Sequence, residues 1–499
     1  MSKLPRILVL ACFFSISLSA TPSAQGPDTL WTRTYGGGSS DYGYSIRQTV
    51  PDGGYIIAGS SFSYGEGSYD IYYLKTDANG EVDWARTYGG TGTDHGVSIR
   101  QTLDGGYIIA GYTNSSGAGG YDALLAKTDS SGAVVWAYTY GGQADDRGWC
   151  VEQTLPDSGY VIAGYTETLG AGGGDAFLVR TDAEGGLLWA EAYGGTSWEE
   201  ARCVIQTSPD SGFLLVGTTS SSGAGGDDVY LIRTGTEGDS IWTRTYGGAG
   251  SEKGYQVRRT FPDSGYVIIG STYSFGAGSS DMYLVKTDRA GDTLWTRTFG
   301  GASVEYGYSV QQSAPQGGYI IAGSTRSFGE GNYDACVVKT DTNGNPIWTR
   351  TYGGSEYDDG YFVCQTTPDS GYVVVGSTRS FGAGAYDIYV MKTEPVLSGI
   401  QEGLAGGHNL VLSAGQPNPF RDRTVVRFSL GERSRVTISV HNVLGQRVAT
   451  LLDAVQDRGP HAVTWDGRGP GGDALAPGIY FCCLKAGNRS TTRKMVLIR

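Results

Sequence analysis

Fourteen carboxylates recur at two fixed places along this chain. Ten residues after each of seven regularly spaced tryptophans stands an acid: Asp41, Asp94, Asp146, Glu199, Glu252, Glu305 and Asp358. A second acid opens a later β-patterned run in every unit: Asp70, Asp122, Asp175, Asp228, Asp281, Asp334 and Asp387. Two acidic rings on one face could bind cations, calcium among them, or a cationic partner. A short carboxylate beside a glycine-rich loop can instead accept backbone N–H groups and fix that loop. Recurrence in all seven units favours the structural use, because a ligand site normally breaks the symmetry of a repeat.

Departures from the repeat are therefore more informative than its constant residues. Trp198 lies in a loop where sister units carry Ser, Thr, Asp, Val or Tyr, and Trp149 replaces a recurrent Tyr at an inner strand. His95, Arg147 and Lys253 share a variable loop position one residue after the recurring acid. An exposed Trp beside polar loops can stack on a sugar or on a partner's apolar side chain, although a lone Trp also serves local packing. These five residues are the ligand-binding candidates.

Enzyme signatures are absent. The four His, at 95, 408, 441 and 461, lack metal spacing, no Cys pair has zinc spacing, and no phosphate-binding Gly loop leads into a helix. Neighbouring acids such as Asp145 with Asp146, or Asp358 with Asp359, could serve a glycosidase, but acids are too common here to single them out. GAGGYDALL (117–125) and the DANG and DTNG turns hold fragments of calcium motifs without the remaining ligands. No catalytic residue and no cofactor are assigned, and calcium is the one alternative.

The elements that must position these residues follow from the period. The tryptophans are Trp31, Trp84, Trp136, Trp189, Trp242, Trp295 and Trp348, a spacing of 52 or 53 residues, which signals an array or a propeller. Each unit holds four short runs rich in Tyr, Ile, Val or Thr, such as LWTRTYG (30–36), GYSIRQT (43–49), GYIIAGSS (54–61) and DIYYLKTD (70–77). Tight Asp/Gly turns alternate with longer Gly-rich loops. The fold class expected is all-β: a seven-bladed β-propeller over 27–393, with the strand before the first unit completing the last blade. Both long loop types should then share one face, the face expected to carry function. The Lys75-to-Trp84 pattern resembles the repeat of quinone-cofactor dehydrogenase propellers, whose calcium and quinone pocket has no counterpart here.

Composition bounds the setting. With 81 Gly, 34 Tyr and 10 Trp in 499 residues, the chain is turn-rich β material without a collagen period. Lys3 and Arg6 precede the apolar run 7–20, with small-residue cleavage sites after Ala20 or Ala24, so residues 1–26 read as a secretory signal peptide. No later stretch is apolar enough to span a membrane. Residues 27–408 carry a net charge of −22, which excludes nucleic acid and anionic membrane surfaces as partners of the repeats. Six further Cys, at 150, 203, 336, 364, 482 and 483, mostly stand in for apolar residues and are expected to be buried free thiols. The adjacent Cys482 and Cys483 should point to opposite faces of a strand.

The pattern stops after Thr393; residues 394–409 read as a linker and 410–499 as a basic β-sandwich of immunoglobulin-like size. The tail carries Pro417-Asn418-Pro419-Phe420, VTISVHNVLGQRV with Gly445 in its hairpin, HAVTWDG with Trp465, LAPGIYF with Gly478 and Tyr480, and the closing TRKMVLIR. These residues resemble the type A C-terminal sorting domain of the type IX, or Por, secretion system, a relative of the flagellar hook-capping immunoglobulin-like fold. The resemblance implies export across the outer membrane, with the secretion machinery as a partner. Cys482-Cys483 departs from the aromatic or polar residues usual there.

The chain is thus expected to be a monomeric, secreted or surface-displayed bacterial protein whose repeats bind an extracellular glycan or protein without catalysis. A polysaccharide hydrolase or lyase using face carboxylates, and a purely structural surface component, are the alternatives.

Overall fold

The computed structural model describes residues 26–208, 210–314, 317–394, 410–412, 420–430, 432–442, 446–469, 472–487 and 489–498. The expected signal peptide up to residue 25, linker residues 395–409, and Pro417, Asn418, Pro419 and Gly445 lie outside them. The chain divides into two compact units, Met1–Val396 and Leu397–Arg499. All regular elements among the described residues are strands, and no helix is long and apolar enough to cross a membrane.

The first unit is a series of four-stranded antiparallel sheets. The first contains Asp41–Gln48, Tyr55–Ser61, Asp70–Thr76 and Val82–Tyr88, hydrogen-bonded in chain order, and five more repeat this plan. The seventh takes Asp358–Gln365, Tyr372–Thr378 and Asp387–Thr393 from the end of the repeats and its outer strand, Thr29–Tyr35, from the beginning. That strand runs antiparallel to the last one, with Thr29 opposite Thr393 and Tyr35 opposite Ile388.

Burial explains the composition of each strand. The two middle strands, such as Tyr55–Ser61 and Asp70–Thr76, are buried at nearly every residue, Tyr112 and Tyr230 being half-buried, because neighbouring sheets cover both faces. The second strand of each sheet packs on the inner strand of the next, and Tyr372–Thr378 packs likewise on Asp41–Gln48. The Trp-bearing outer strand alternates between exposed and half-buried residues. Its Trp leans onto the following sheet: Trp31 meets Tyr55 edge-on at 5.9 Å, and Trp189 meets Phe213 at 6.0 Å. Beneath the ring lies a turn glycine, Gly80, at φ +80, where a Cβ would press on Trp31 at 3.0 Å.

Residues Gly26–Asp28 take the place of that turn for the last Trp strand. Trp348 lies against Gly26, the Tyr352 hydroxyl donates to the Pro27 carbonyl, and Arg350 donates to the Gly26 carbonyl and Asp28 carboxylate at 2.7 Å. Where the seventh sheet meets the first, Tyr35 donates to the Gly80 carbonyl and Arg33 to Glu81, both at 2.7 Å. A glutamine at the end of most inner strands adds a second stitch. Gln101 both accepts from and donates to the backbone of Val50 in the preceding sheet, and Gln48 does the same with Thr367.

Each third strand also buries a cation beside its turn. Lys75 meets Asp52 at 2.6 Å, Lys127 meets Asp104 at 2.8 Å and Lys392 meets Asp369 at 2.8 Å. The sixth sheet differs, since Lys339 donates to the carbonyls of Gly317 and Thr340, and burial lowers its pKa to about 8.

The second unit pairs Thr424–Leu430 with Gly459–Trp465 and with a short strand, Leu410–Leu412, that the sequence pattern does not announce. Its other sheet orders Arg447–Gln456, Ser434–His441, Gly478–Ala486 and Arg489–Leu497. Phe420, Val426, Ile438, Trp465, Tyr480, Leu484 and Leu497 share its core. The polar ends of the aromatics are satisfied: Trp465 Nε1 donates to the Arg468 carbonyl at 3.0 Å and Tyr480 to the Ala476 carbonyl at 2.7 Å. Cys482 is buried and Cys483 only half-buried, as alternation along a strand requires.

Candidate functional site

The acids of the first ring are all buried. Each accepts the second N–H of its Gly-Gly pair at 2.6–2.9 Å, from Gly37 to Asp41 through Gly354 to Asp358. Hydroxyls supply further donors: Ser63 to Asp41 at 2.7 Å, Ser115 to Asp94 at 2.6 Å, and Thr219 to Glu199 at 2.8 Å. The longer glutamates reach one donor more, such as the Ser221 N–H on Glu199 at 2.9 Å. These contacts tie both long loops of each unit together on one face.

The second ring works on the adjoining loop. Asp122 accepts from the Ala118 N–H at 3.1 Å, Asp228 from Ala224 at 2.9 Å and Asp387 from Ala383 at 3.0 Å. Members of the two rings flank one glycine, so that a Cβ at Gly89 would strike Asp70 and Asp94 together. Burial, and then the neighbouring carboxylate, push Asp70 and Asp334 up to about 6. Calcium fits these oxygens poorly, because most already accept from N–H and O–H donors. Asp41 Oδ1 is an exception, buried with no hydrogen bond among the described residues. Those residues contain no group of three or more His, Cys, Asp or Glu placed to hold a metal.

A different set of residues converges on one cavity. In all seven inner strands the register slips at the fourth residue: between Gly43 and Ser45, and again at the same place in each sister sheet. A bulge re-aims the side chain of its extra residue. The seven bulged residues are Tyr44, Val97, Trp149, Arg202, Tyr255, Tyr308 and Tyr361, and every one lines the same cavity of about 310 Å³. Four of them form a continuous aromatic collar, with Tyr255–Tyr308, Tyr308–Tyr361 and Tyr361–Tyr44 centroids at 5.2, 5.3 and 5.7 Å. Burial raises the pKa of Tyr44, Tyr308 and Tyr361, keeping their hydroxyls protonated. In the neighbouring sheets the Arg202 guanidinium stacks over Trp149 at 4.2 Å, with its Nε 2.7 Å from Glu200.

Next along the strands Ser45, Ser98, Cys150, Cys203, Gln256 and Phe362 line the wall, followed by Arg47 and Arg258. Cys150 and Cys203 therefore stand where sister strands carry mostly serine or glutamine, which corrects the expectation that they replace apolar residues. Cys336 and, in the second unit, Cys482 fit that expectation, both free thiols in a hydrophobic core and pushed up to about 12 by burial. A hydrogen bond with Cys203, and then nearby arginines, pull the Cys150 thiol down, while Cys203 is pushed up.

The structure joins three of the five candidates through a residue the sequence reading passed over. The Tyr112 ring meets His95 at 4.8 Å and Trp149 at 5.2 Å, and the Arg147 guanidinium lies 5.3 Å from its centre. His95 hydrogen-bonds Ser60 at 2.7 Å, and burial lowers its pKa to about 4. Arg147 pairs with Asp145 at 2.8 Å. These two residues and Lys253 are not in a loop, as expected from the sequence, but second in their inner strands, because strand pairing begins at the recurring acid. Lys253 lies across from Ser271. Trp198 is held apart from the trio, bridged to the Gly174 backbone with its ring 5.9 Å from Tyr165. Among the residues offered as an acid pair, Asp359 accepts from Ser324 at 2.5 Å and Tyr361 at 3.1 Å, and burial raises its pKa.

Residues 422–490 match the FlgD Ig-like domain family. The regulatory protein FlaEY of Caulobacter vibrioides is 24% identical over 249 residues, 47% of this chain, and the matched region spans only 21% of that protein. Among solved structures, PorZ, described as an essential bacterial surface component of the type-IX secretion system of Porphyromonas gingivalis, is 12% identical with a TM-score of 0.35. That match covers 89% of this chain and 64% of PorZ. Sqt1 of Chaetomium thermophilum, solved with the N-terminus of ribosomal protein L10, is 11% identical with a TM-score of 0.42, covering 74% of this chain and all of that one. A fungal alcohol oxidase of the AA5 family in complex with copper is 10% identical with a TM-score of 0.43, covering 95% and 100%. None of the three is close enough in geometry to bear on what this chain binds.

Proposed function

We propose that the repeat unit is a closed seven-bladed β-propeller that binds an extracellular glycan without catalysis, and that the C-terminal immunoglobulin-like unit is a type IX sorting domain. Pairing of Thr29–Tyr35 with Asp387–Thr393, and packing of the first sheet on the last, support the ring. The signal-like residues 1–26 and the sorting resemblance support export to the cell surface or the medium. The observation that carries the binding reading is the convergence of seven bulged residues, most of them aromatic, on one cavity. The same backbone device thus presents different side chains from each unit to a shared space, as a recognition site requires. Sugars stack on Tyr and Trp faces, and protonated Tyr hydroxyls can donate to sugar oxygens.

A glycan array probed with the chain from residue 27 onward tests the reading. Retention of a defined glycan class without product release is the expected result. Release of oligosaccharide would move the assignment to a hydrolase or lyase, and silence across glycans would leave a structural surface component. Removal of residues 410–499 should trap the protein in the periplasm, and undiminished surface display would refute the sorting role.

A further inference from the structure

Arg47, Arg100 and Arg258 occupy the same place, the seventh residue, in three inner strands. Arg47 and Arg258 line the cavity beneath the collar. Sister strands place Glu152, Ile205, Gln311 and Cys364 there, so one carboxylate answers three guanidiniums at this level. That carboxylate is poorly engaged: Glu152 lies 3.5 Å from Arg100 Nη2, and neither atom has a hydrogen-bond partner among the described residues. Arg47 donates to the Ile46 carbonyl and lies 3.9 Å over the Phe362 ring. The Arg258 backbone pairs with Val267, and its guanidinium forms no hydrogen bond or ion pair among the described residues. The Cys150 thiol, drawn toward its thiolate, offers at most one further negative charge.

All three arginines are half-buried, and like charges gathered in one partly desolvated cavity are costly unless an anion joins them. Here the cationic cluster sits within residues 27–408, whose net charge is −22 and where acids are otherwise plentiful. We infer that the cavity holds a carboxylate-bearing sugar, a hexuronic acid residue, with its carboxylate on Arg47 and Arg258 and its ring against the aromatic collar and Trp149. Arginine suits a carboxylate because its planar fork matches the two oxygens. An uncharged sugar would leave the guanidiniums uncompensated. A bare small anion would leave the collar unused. The inference rests on the glycan-binding reading and narrows it to acidic glycans.

Calorimetry on the chain from residue 27 onward tests it with free D-glucuronate and D-galacturonate as probes, against D-glucose, D-galactose and acetate. Binding of at least one uronate, at least tenfold tighter than its neutral counterpart and than acetate, is expected on the wild-type protein and needs no variant. Arg258→Gln and Arg47→Gln should each weaken it tenfold or more, and Trp149→Ala should weaken it also, whereas Arg433→Gln in the second unit should leave it unchanged. Equal binding of neutral sugars, equal binding of acetate, or no uronate binding would each overturn the inference. In the last case, retention of neutral glycans on the array would leave the broader reading standing. Uronate binding with a silent array would sink surface recognition and keep the cavity assignment.

Discussion

The carboxylate ring and the bulge ring arise from the same inner strand, three residues apart, and they have opposite characters. At the strand's first residue every unit has Asp or Glu, and each side chain is absorbed by backbone and hydroxyl donors of its own loops. At the fourth residue the units carry Tyr, Val, Trp or Arg, and the side chains face a shared cavity. Constancy accompanies a task each sheet performs for itself, while variety accompanies a task the sheets perform together. A recurring charged residue in a repeat protein is therefore weaker grounds for a site than a recurring backbone irregularity with unlike side chains.

Five perturbations would sharpen or break this contrast. Deleting residues 27–35 removes the outer strand of the last sheet and should lower the melting temperature by more than about 10 °C, because a whole ladder and the Trp31 contact vanish; an unchanged melt would refute the interlock. Asp94→Ala leaves the Gly90 N–H and the Thr113 and Ser115 hydroxyls without their acceptor, for an expected cost of about 2–4 kcal/mol in denaturant titration. Trp149→Ala should cost less, about 1–2 kcal/mol, since Trp149 is only half-buried, while weakening ligand binding. If the two costs come out reversed, the division between scaffold and site is wrong.

A fourth test uses pH. Asp70 and Asp334 hold protons more tightly in the folded chain, so their contribution to stability is full below the ordinary value of 3.8 and is lost as pH rises through about 6. Stability should fall across that window as these two groups ionise, and the double variant Asp70→Asn, Asp334→Asn should flatten that part of the profile. A variant profile parallel to the wild type would show that other groups titrate there. The smallest effect expected is a gain. In the repeat Gln316 corresponds to Asp52, Asp104 and Asp369, partners of the buried cation in sister units, so Gln316→Asp should stabilise by about 1 kcal/mol. The wild type should also gain stability as pH rises from about 8 toward 10.5, because the unfolded chain keeps the Lys339 proton longer; that slope should diminish in Gln316→Asp.

Much of the scaffold was legible in the residue pattern. The tryptophan spacing and the runs between turns place the repeat strands to within a residue or two, and the tail strands Thr424–Leu430 and Gly478–Ala486 follow from alternation. Leu410–Leu412 escaped because three residues are too short to show a period. The cavity was only half visible: Trp149 stood out as a substitution, whereas Arg47, Arg100 and Arg258 looked like ordinary polar residues near a strand end. What hid them is the register slip, which turns the following residues relative to simple alternation and has no residue signature beyond the Gly before it. The Arg at one place in three units of seven was the signal available.

The outer strand borrowed by the last sheet also fixes an order of events. Six sheets consist of contiguous chain and can form as soon as each is made, at the small entropic cost of short loops. Thr29–Tyr35, first to emerge during synthesis, must wait for Asp387–Thr393, which emerges after every other repeat strand. Until then both strands present open pairing edges. Completion of the seventh sheet thus acts as a checkpoint that only a full-length repeat array can pass, and a chain stalled or trimmed within the repeats would remain adhesive at both ends.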